Sequence, residues 1–275
     1  MTSKYAKSPF QIGVSLINLI NFIFDRMSLF NEKLKKIRLK ELLPLIIILF
    51  LIQYTINSLN IVHIDSIWIY ILIIFYFIFK LKTELFSIRF DVMEVFSPNI
   101  LKTTFAVVIL NIFFSYGMLY LSNFILGIVP SFNLFNSVFA GSLIATILIS
   151  PISEELIFRG VFLNRLQFIV PAVFAVLISS LLFAALHSFG SIFSAFIFGI
   201  CIAILYLKTD NIFVAIFAHF LNNLFAEIIV FLDPNKILFT NNSVMMIMSI
   251  LAIVSFALIL VFIVDNLKKL NSNDL

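Results

Sequence analysis

The stretch 150-SPISEELIFRG-160 decides how the chain is interpreted, because it places charges inside a strongly apolar sequence. Glu154 and Glu155 are adjacent, and Arg159 follows the second glutamate by four residues. The 275 residues are 62% hydrophobic and only 12% charged, whereas soluble domains carry about 25% charged residues. A charge in lipid is costly unless it is paired or faces a wet cavity. We therefore interpret these three residues as the centre of a functional site in a membrane protein.

Long apolar runs on both sides of this stretch predict an all-α polytopic membrane protein. A spanning helix needs about 17–25 apolar residues, and the chain offers about eight such runs. They lie near 42–60, 66–80, 103–122, 134–152, 170–187, 191–207, 211–232 and 243–264. Segment 153–168 is expected to continue the fourth span as a helix, with a kink at Pro151.

The N-terminal part of the chain is basic and less apolar. Polar residues at near-helical spacing over 11–30 predict an amphipathic helix on the membrane surface, and a helix packed on the bundle fits that pattern equally well. The run 33-KLKKIRLK-40 then forms a basic collar. No small-residue cleavage site follows it, so we expect the first span to remain as an anchor. The predicted organisation is a basic segment 1–41, a helical bundle 42–265 and a cytoplasmic tail 266–275.

The basic residues lie at the ends of the apolar runs, as topology determinants do. Eight Lys and Arg residues precede the first span, and later connections carry Lys80, Lys82, Arg89, Lys102, Lys208, Lys268 and Lys269. These segments fall on one side of a cell membrane if both termini are cytoplasmic, which is the orientation we predict. The connection near 233–240, with Lys236 and Asp233, is mixed. The net charge of +4 therefore marks membrane topology, and we exclude nucleic acid as a partner.

The spacing within 150–160 gives the two glutamates different roles. Glu155 and Arg159 are four residues apart, so on a helix they can form an ion pair. Glu154 points about 100° away around the helix and is not bound to Arg159 by that spacing. It is the freer carboxylate, able to take a proton from water. The alternative is that both acids only fix helix packing.

Two further motifs carry histidines into apolar runs. Phe183 and His187 share one helix face at a spacing of four residues, and His219 and Asn223 share another. Asn222 lies three residues from His219, near the same face. A single histidine in a membrane helix can simply bond a neighbouring carbonyl, but here two histidines accompany an acid pair. We assign Phe183 and Asn222 to substrate binding.

This set of side chains suits hydrolysis of a peptide bond in two ways. A glutamate and an imidazole can hold and deprotonate water, while a second imidazole and an amide stabilise an oxyanion. Alternatively, Glu154, His187 and His219 form a His₂Glu zinc set with an open position for water. No HExxH pair occurs, and the single cysteine, Cys201, excludes a Cys-based metal site. The residues alone leave both chemistries open.

The three motifs, in this order on successive apolar helices, resemble the CPBP family of CAAX-processing and bacteriocin-processing intramembrane proteases, also called Abi. The resemblance covers about residues 134–232 and implies a helical membrane protease core. It implies that Glu154 and His187 activate water and that His219 and Asn223 form the oxyanion site, with Glu155 and Arg159 beside them. The family is often labelled metalloprotease, and a metal-free glutamate mechanism is also argued for it. We expect no cofactor, with zinc as the alternative.

The expected function is an intramembrane endopeptidase acting on membrane-associated peptides or proteins in the lipid bilayer. The alternative is a non-catalytic bacteriocin-immunity membrane protein, which would have little reason to bury the full polar set. A transporter with Glu154 as a proton relay lacks the internal repeat that transporters often carry. Three further polar residues receive simpler assignments: Asn111 is expected in a helix–helix hydrogen bond, and Trp68 and Tyr70 in an interfacial aromatic belt.

Overall fold

The computed structural model describes residues 29–60, 63–126, 143–186, 192–233 and 241–272, and every regular element in these ranges is helical. The first five helices are α1 (Leu29–Lys35), α2 (Leu39–Ser58), α3 (Ile67–Leu81), α4 (Ile88–Val95) and α5 (Pro98–Leu126). A helix over 143–166, α6, is followed by α7 (Ala172–Ala185), α8 (Ile192–Thr209), α9 (Ile212–Leu232) and α10 (Asn242–Ser272). The predicted all-α class is confirmed.

The predicted number of spans is not confirmed by the described residues. By length and apolar composition, five helices among the described residues can cross a membrane: Leu39–Ser58, Pro98–Met118, Ile192–Thr209, Ile212–Leu232 and Asn242–Leu270. Helices α3 and α7 are apolar but shorter, and the predicted span 134–152 lies partly outside the described residues. A multi-pass helical protein is therefore confirmed, whereas eight spans are not. The predicted amphipathic helix over 11–30 falls outside the described residues except for its last two.

Helix α6 is unusual because it alternates between π-helical and α-helical segments. Residues Ala145–Ile149 and Leu156–Leu163 are π-helical, and the turn between them, Ser150–Glu155, is α-helical. The helix runs on through Pro151 without a break. The amide of Asn164 donates to the carbonyl oxygens of Arg159 at 3.0 Å and Gly160 at 2.8 Å, which satisfies acceptors at the end of the second π segment. Such segments occur often at functional sites.

Helix α6 lies within the bundle, where it packs against α1, α3, α7, α8 and α9. Helices α5 and α10 run antiparallel, and the rings of Phe114 and Phe256 stack between them at 5.0 Å. Gly117 permits this approach, because a Cβ there would lie 2.5 Å from the carbonyl oxygen of Met248. The polar 150–160 stretch is thus enclosed by protein, which lowers the cost of charge at membrane depth.

Ion pairs and a side-chain to backbone hydrogen bond join the basic segments at one end of the bundle. The contacts are Lys33–Glu84 at 3.4 Å, Lys35–Asp210 at 2.7 Å, Lys80–Glu41 at 2.6 Å, and Arg165 to the carbonyl oxygen of Ile37 at 2.9 Å. They connect α1, the start of α2, the end of α3, the end of α6 and the α8–α9 turn. This clustering is what the orientation prediction requires, while the side of the membrane that it faces stays a prediction.

At the same end, α4 carries a buried acid. Asp91 is 2% exposed, and the side-chain amide of Asn211 donates to its carbonyl oxygen at 2.7 Å and to Glu94 at 2.9 Å. Burial, with the nearby charges of Glu94 and Asp210, raises the pKa of Asp91 from 3.8 to about 7. The unfolded chain therefore ionises Asp91 at a lower pH than the folded protein does.

This difference predicts a stability that falls as the pH rises. Between about pH 4 and pH 7 the unfolded state loses the Asp91 proton while the folded state keeps it, so the free energy of unfolding declines over that window. The Asp91→Asn variant should show a flatter dependence, because the amide does not titrate. Thermal unfolding in detergent at pH 5 and pH 8 measures both slopes. Equal slopes in the two proteins would show that Asp91 does not cause the pH dependence of stability.

Candidate active site

Glu155 is the residue at which the site is assembled. Its Oε1 accepts a hydrogen bond from Nη1 of Arg159 at 2.9 Å, and it lies 2.8 Å from Nδ1 of His219. The side chains of Glu155 and Arg159 are both fully buried. The ion pair expected from their spacing is confirmed. The same oxygen also fixes a histidine from α9, which the spacing did not reveal.

The planar guanidinium group of Arg159, on α6, contacts two further helices. Besides the bond to Glu155, its Nη2 donates to the carbonyl oxygen of Gly199 on α8 at 2.9 Å. Its guanidinium carbon lies 4.3 Å from the centre of the Phe183 ring on α7, a cation–π distance. The arginine therefore connects α6 with α7 and α8 through contacts that a compact ammonium could not reproduce.

His219 is oriented by a carboxylate and by aromatic walls. It is 2% exposed, and the rings of Phe183 and Phe198 meet it edge-on at 5.5 and 6.0 Å. Since Nδ1 bonds Glu155, the other ring nitrogen points into the site: Nε2 lies 3.9 Å from Oε2 of Glu154. A hydrogen bond on one ring nitrogen fixes what the other can do.

Glu154 has surroundings different from those of its neighbour. Its Oε1 is hydrogen-bonded by the hydroxyl of Ser150, one turn earlier on α6. Helix α3, which carries Trp68 and Tyr70, packs against this part of α6. Trp68 is 58% exposed, whereas Tyr70 is half-buried. A hydroxyl and an imidazole thus lie beside the first glutamate.

A chain of amides joins three helices beside the histidine. Asn111 on α5 donates to Asn222 at 2.8 Å, Asn222 donates to Asn223 at 3.3 Å, and Asn223 donates to the carbonyl oxygen of Thr146 at 2.8 Å. The helix–helix bond expected of Asn111 is confirmed. Thr146 lies in the first π segment of α6. The side chain of Asn223 is therefore oriented by a network that begins outside its own helix.

The structure brings together most of the residues that the motifs singled out. Glu154, Glu155, Arg159, Phe183 and His219 form one cluster, and Asn222 and Asn223 lie one turn further along α9. His187 falls outside the described residues. Phe183, which we assigned to substrate binding, is 1% exposed and covered by Arg159, Phe158 and His219, so here it packs the site rather than lining it. Asn222 is held by Asn111 and Asn223.

Within the described ranges, no three His, Cys, Asp or Glu side chains are arranged to hold a metal ion. The zinc set proposed from the sequence includes His187, so it stays a prediction. Three participants were not assigned to the site from the sequence: Ser150, Thr146 and Gly199. Ser150 carried the best available signal, since it precedes Glu154 by four residues.

Comparison with known families agrees with this geometry. Residues 136–225 match the family model described as Type II CAAX prenyl endopeptidase Rce1-like. The match covers about a third of the chain, and it contains every residue assigned to catalysis from the motifs. It confirms the resemblance to CAAX-processing proteases. No curated protein and no solved structure matches the chain.

The contacts of Arg159 predict that it is a structural residue. Arg159→Ala leaves Glu155 buried without its cation, a loss that typically costs about 3–5 kcal/mol. The unfolding midpoint in detergent should fall together with activity. Arg159→Lys is the matched control: it keeps the charge but not the fork, so it should be intermediate. Loss of activity at unchanged stability would instead place Arg159 in substrate binding.

The amide chain predicts that Asn111 influences activity through Asn223. Asn111→Leu fills the same space but donates no hydrogen bond to Asn222, so kcat should fall by about tenfold or less, the scale of one hydrogen bond. A double-mutant cycle with Asn223→Ala isolates the coupling between the two sites. The double variant should be no slower than Asn223→Ala alone. Independent, multiplying effects would show that Asn111 does not act through Asn223.

Proposed function

We propose that the protein is an intramembrane endopeptidase that hydrolyses membrane-associated peptides or proteins with water activated by Glu154. The observation that carries this proposal is the pairing of Oε2 of Glu154 with Nε2 of His219 across 3.9 Å. That separation is too long for a direct hydrogen bond. It is short enough for the two groups to act on one peptide carbonyl, one on the attacking water and one on the carbonyl oxygen.

The two adjacent glutamates, Glu154 and Glu155, have different roles in this proposal. Glu155 is neutralised by Arg159 and faces Nδ1 of His219, so it is a poor candidate for accepting a further proton. Glu154 lies 9% exposed beside the hydroxyl of Ser150, while Arg159 donates to Glu155. Glu154 is thus the group placed to act as a general base.

His219 is suited to stabilise the oxyanion. Nδ1 of His219 is engaged by Glu155, so a proton carried on Nε2 is directed into the site. A donor fixed in advance at developing charge is usually a large catalytic contribution. The amide of Asn223, one turn along α9, is the second expected donor.

The hydrolytic step follows from these positions. Glu154 takes a proton from water as the water oxygen bonds to the carbonyl carbon, and the carbonyl π electrons move to the oxygen. Nε2–H of His219 and the Asn223 amide stabilise that oxyanion. Collapse re-forms the carbonyl and breaks the C–N bond, and Glu154 returns its proton to the leaving nitrogen. His187 is expected by resemblance to help Glu154 hold the water.

The depth of the site favours substrates that lie in or against the bilayer. Glu154 precedes Arg165, at the basic end of the bundle, by eleven residues, which is about 16 Å at the α-helical rise. His219 follows Asn211, at the same end, by eight residues or about 12 Å. Both groups therefore meet well inside the roughly 30 Å hydrocarbon layer. A peptide segment held in the membrane can reach this depth without unfolding a soluble domain.

Glu154→Gln should abolish cleavage while the protein stays folded and inserted, because the amide cannot accept the proton from water. Activity is measured on peptides of a membrane-peptide library that the native protein cleaves. Glu227→Gln, a second partly buried glutamate on α9, is the matched control and should keep activity. Retained peptidase activity in Glu154→Gln would remove Glu154 from the mechanism. A protein that protects cells equally well with this change would instead be a non-catalytic immunity factor.

Metal removal tests the choice between the two hydrolytic chemistries. Because Glu154, His219 and Asn223 supply a base and two donors, we expect activity to survive prolonged dialysis against a chelator. Metal analysis of the native protein and of His219→Ala gives an independent readout. Stoichiometric zinc that disappears in His219→Ala, together with loss of activity on chelation, would establish the metalloprotease alternative.

A further inference from the structure

We propose that Lys36, Arg38 and Lys40 form a binding surface for the headgroup of an anionic phospholipid. These three residues, the outward basic surface, belong to the collar 33-KLKKIRLK-40, which the hydrolytic step does not use. The collar meets α6 at Arg165, eleven residues beyond Glu154. The inference is therefore independent of the proposed function.

The collar divides into cations that face the protein and cations that face outward. Lys33 and Lys35 reach acids of other elements, Glu84 at 3.4 Å and Asp210 at 2.7 Å. The residues of the outward basic surface are exposed, and within the described ranges none of them makes an ion pair or a side-chain hydrogen bond. Their charge is thus available to an external partner.

The backbone places these three side chains on the outside of the bundle. Arg38 has an extended conformation, with φ −88° and ψ 128°, directly before α2. The exposed residues alternate with Ile37 and Leu39, which pack on the core. Because two residues of extended chain span at most about 7 Å, neighbouring cations can reach one headgroup. Nε of Arg165 donates to the carbonyl oxygen of Ile37 at 2.9 Å, which fixes the segment on α6.

Positive charge at this position is unfavourable unless an anion is near. The N-terminal end of a helix carries a partial positive charge, so cations there oppose the helix dipole. The acid in the first turn of α2 is Glu41, and it bonds Lys80 on α3 at 2.6 Å. Arg38 precedes the helix without capping its amides through a side-chain hydrogen bond. An anionic headgroup offsets the charge of the side chains and of the helix end together.

Helix α2 continues the basic surface as an apolar stripe. Lys40, Ile47 and Leu51 share one face of α2, since seven and eleven residues are close to two and three helical turns. Ile47 and Leu51 are 54% and 58% exposed, and only 6% of the α2 span is buried within the protein. Ile47 lies about 10 Å along the helix from Lys40. Charge beside an apolar stripe matches a phospholipid, whereas free phosphate would use the cations alone.

The test compares two triple variants that remove the same charges from different places. The first neutralises the outward basic surface: Lys36→Gln, Arg38→Gln, Lys40→Gln. The matched control also removes one arginine and two lysines, which are exposed at the same end of the bundle but on three separate helices: Arg89→Gln, Lys102→Gln, Lys208→Gln. The unfolding midpoint of each protein is measured in detergent micelles that contain increasing amounts of phosphatidylglycerol or phosphatidylcholine.

Phosphatidylglycerol should raise the unfolding midpoint of the native protein and of the control variant, and phosphatidylcholine should not. The surface variant should need at least tenfold more phosphatidylglycerol for half of that rise, since each basic residue near an anionic membrane contributes about fivefold in affinity. Inorganic phosphate at matched concentration should leave every midpoint unchanged. Glu154→Gln should respond to phosphatidylglycerol as the native protein does, whether or not peptidase activity is found.

Equal losses of response in the two triple variants would show attraction to net charge alone and would overturn the site. An undiminished response of the surface variant, an equal rise with phosphatidylcholine, or a rise reproduced by inorganic phosphate would overturn it as well. If the surface variant is not recovered folded, the single variants Arg38→Gln and Arg89→Gln make the same comparison. About fivefold weaker binding is then expected in Arg38→Gln alone, and equal binding in both contradicts the inference.

Discussion

The buried carboxylate of Glu155 is the constraint on which the site depends. It neutralises an arginine that has no exposed surface and bonds a histidine from another helix through the same oxygen. Buried ion pairs seldom add much net stability over apolar packing, but breaking one leaves an uncompensated charge. The main effect of the pair is therefore to specify how the helices pack. It sets the relative positions of α6, α7, α8 and α9, and it leaves the neighbouring glutamate available for chemistry.

The backbone around this pair is adapted to it. Gly199 lies where a Cβ would be 3.3 Å from Nη2 of Arg159 and 3.2 Å from the Phe183 ring, so the absence of a side chain lets the guanidinium reach the Gly199 carbonyl oxygen. In the π-helical turns of α6, carbonyl groups also accept bonds from side chains: Thr146 accepts from Asn223, and Gly160 accepts from Asn164. The site is thus built by local departures from regular structure.

The sequence predicts the parts of this arrangement that depend on local spacing. A charge four residues from its partner identifies the Glu155–Arg159 pair, and the same periodicity separates Glu154 from it. The contacts between distant segments could not be obtained this way. In an almost uniformly apolar run such as α3, no polar stripe marks the face that packs against α6. The same limit applies to Phe183, whose contact with Arg159 the spacing did not reveal. The count of eight spans is not confirmed, because two apolar helices are short and the predicted span 134–152 lies partly outside the described residues.

Two adjacent, chemically identical residues with opposite roles offer the most direct test of this account. The measurement is the thermal unfolding midpoint of Glu155→Gln beside that of Glu154→Gln, in one detergent and at one pH. Glu155→Gln should lower the midpoint clearly, since it leaves Arg159 buried without a counter-charge, at a typical cost of about 3–5 kcal/mol. Glu154→Gln should unfold with the native protein. An unchanged midpoint in Glu155→Gln, or an equal fall in both variants, would contradict the division between a structural and a catalytic glutamate.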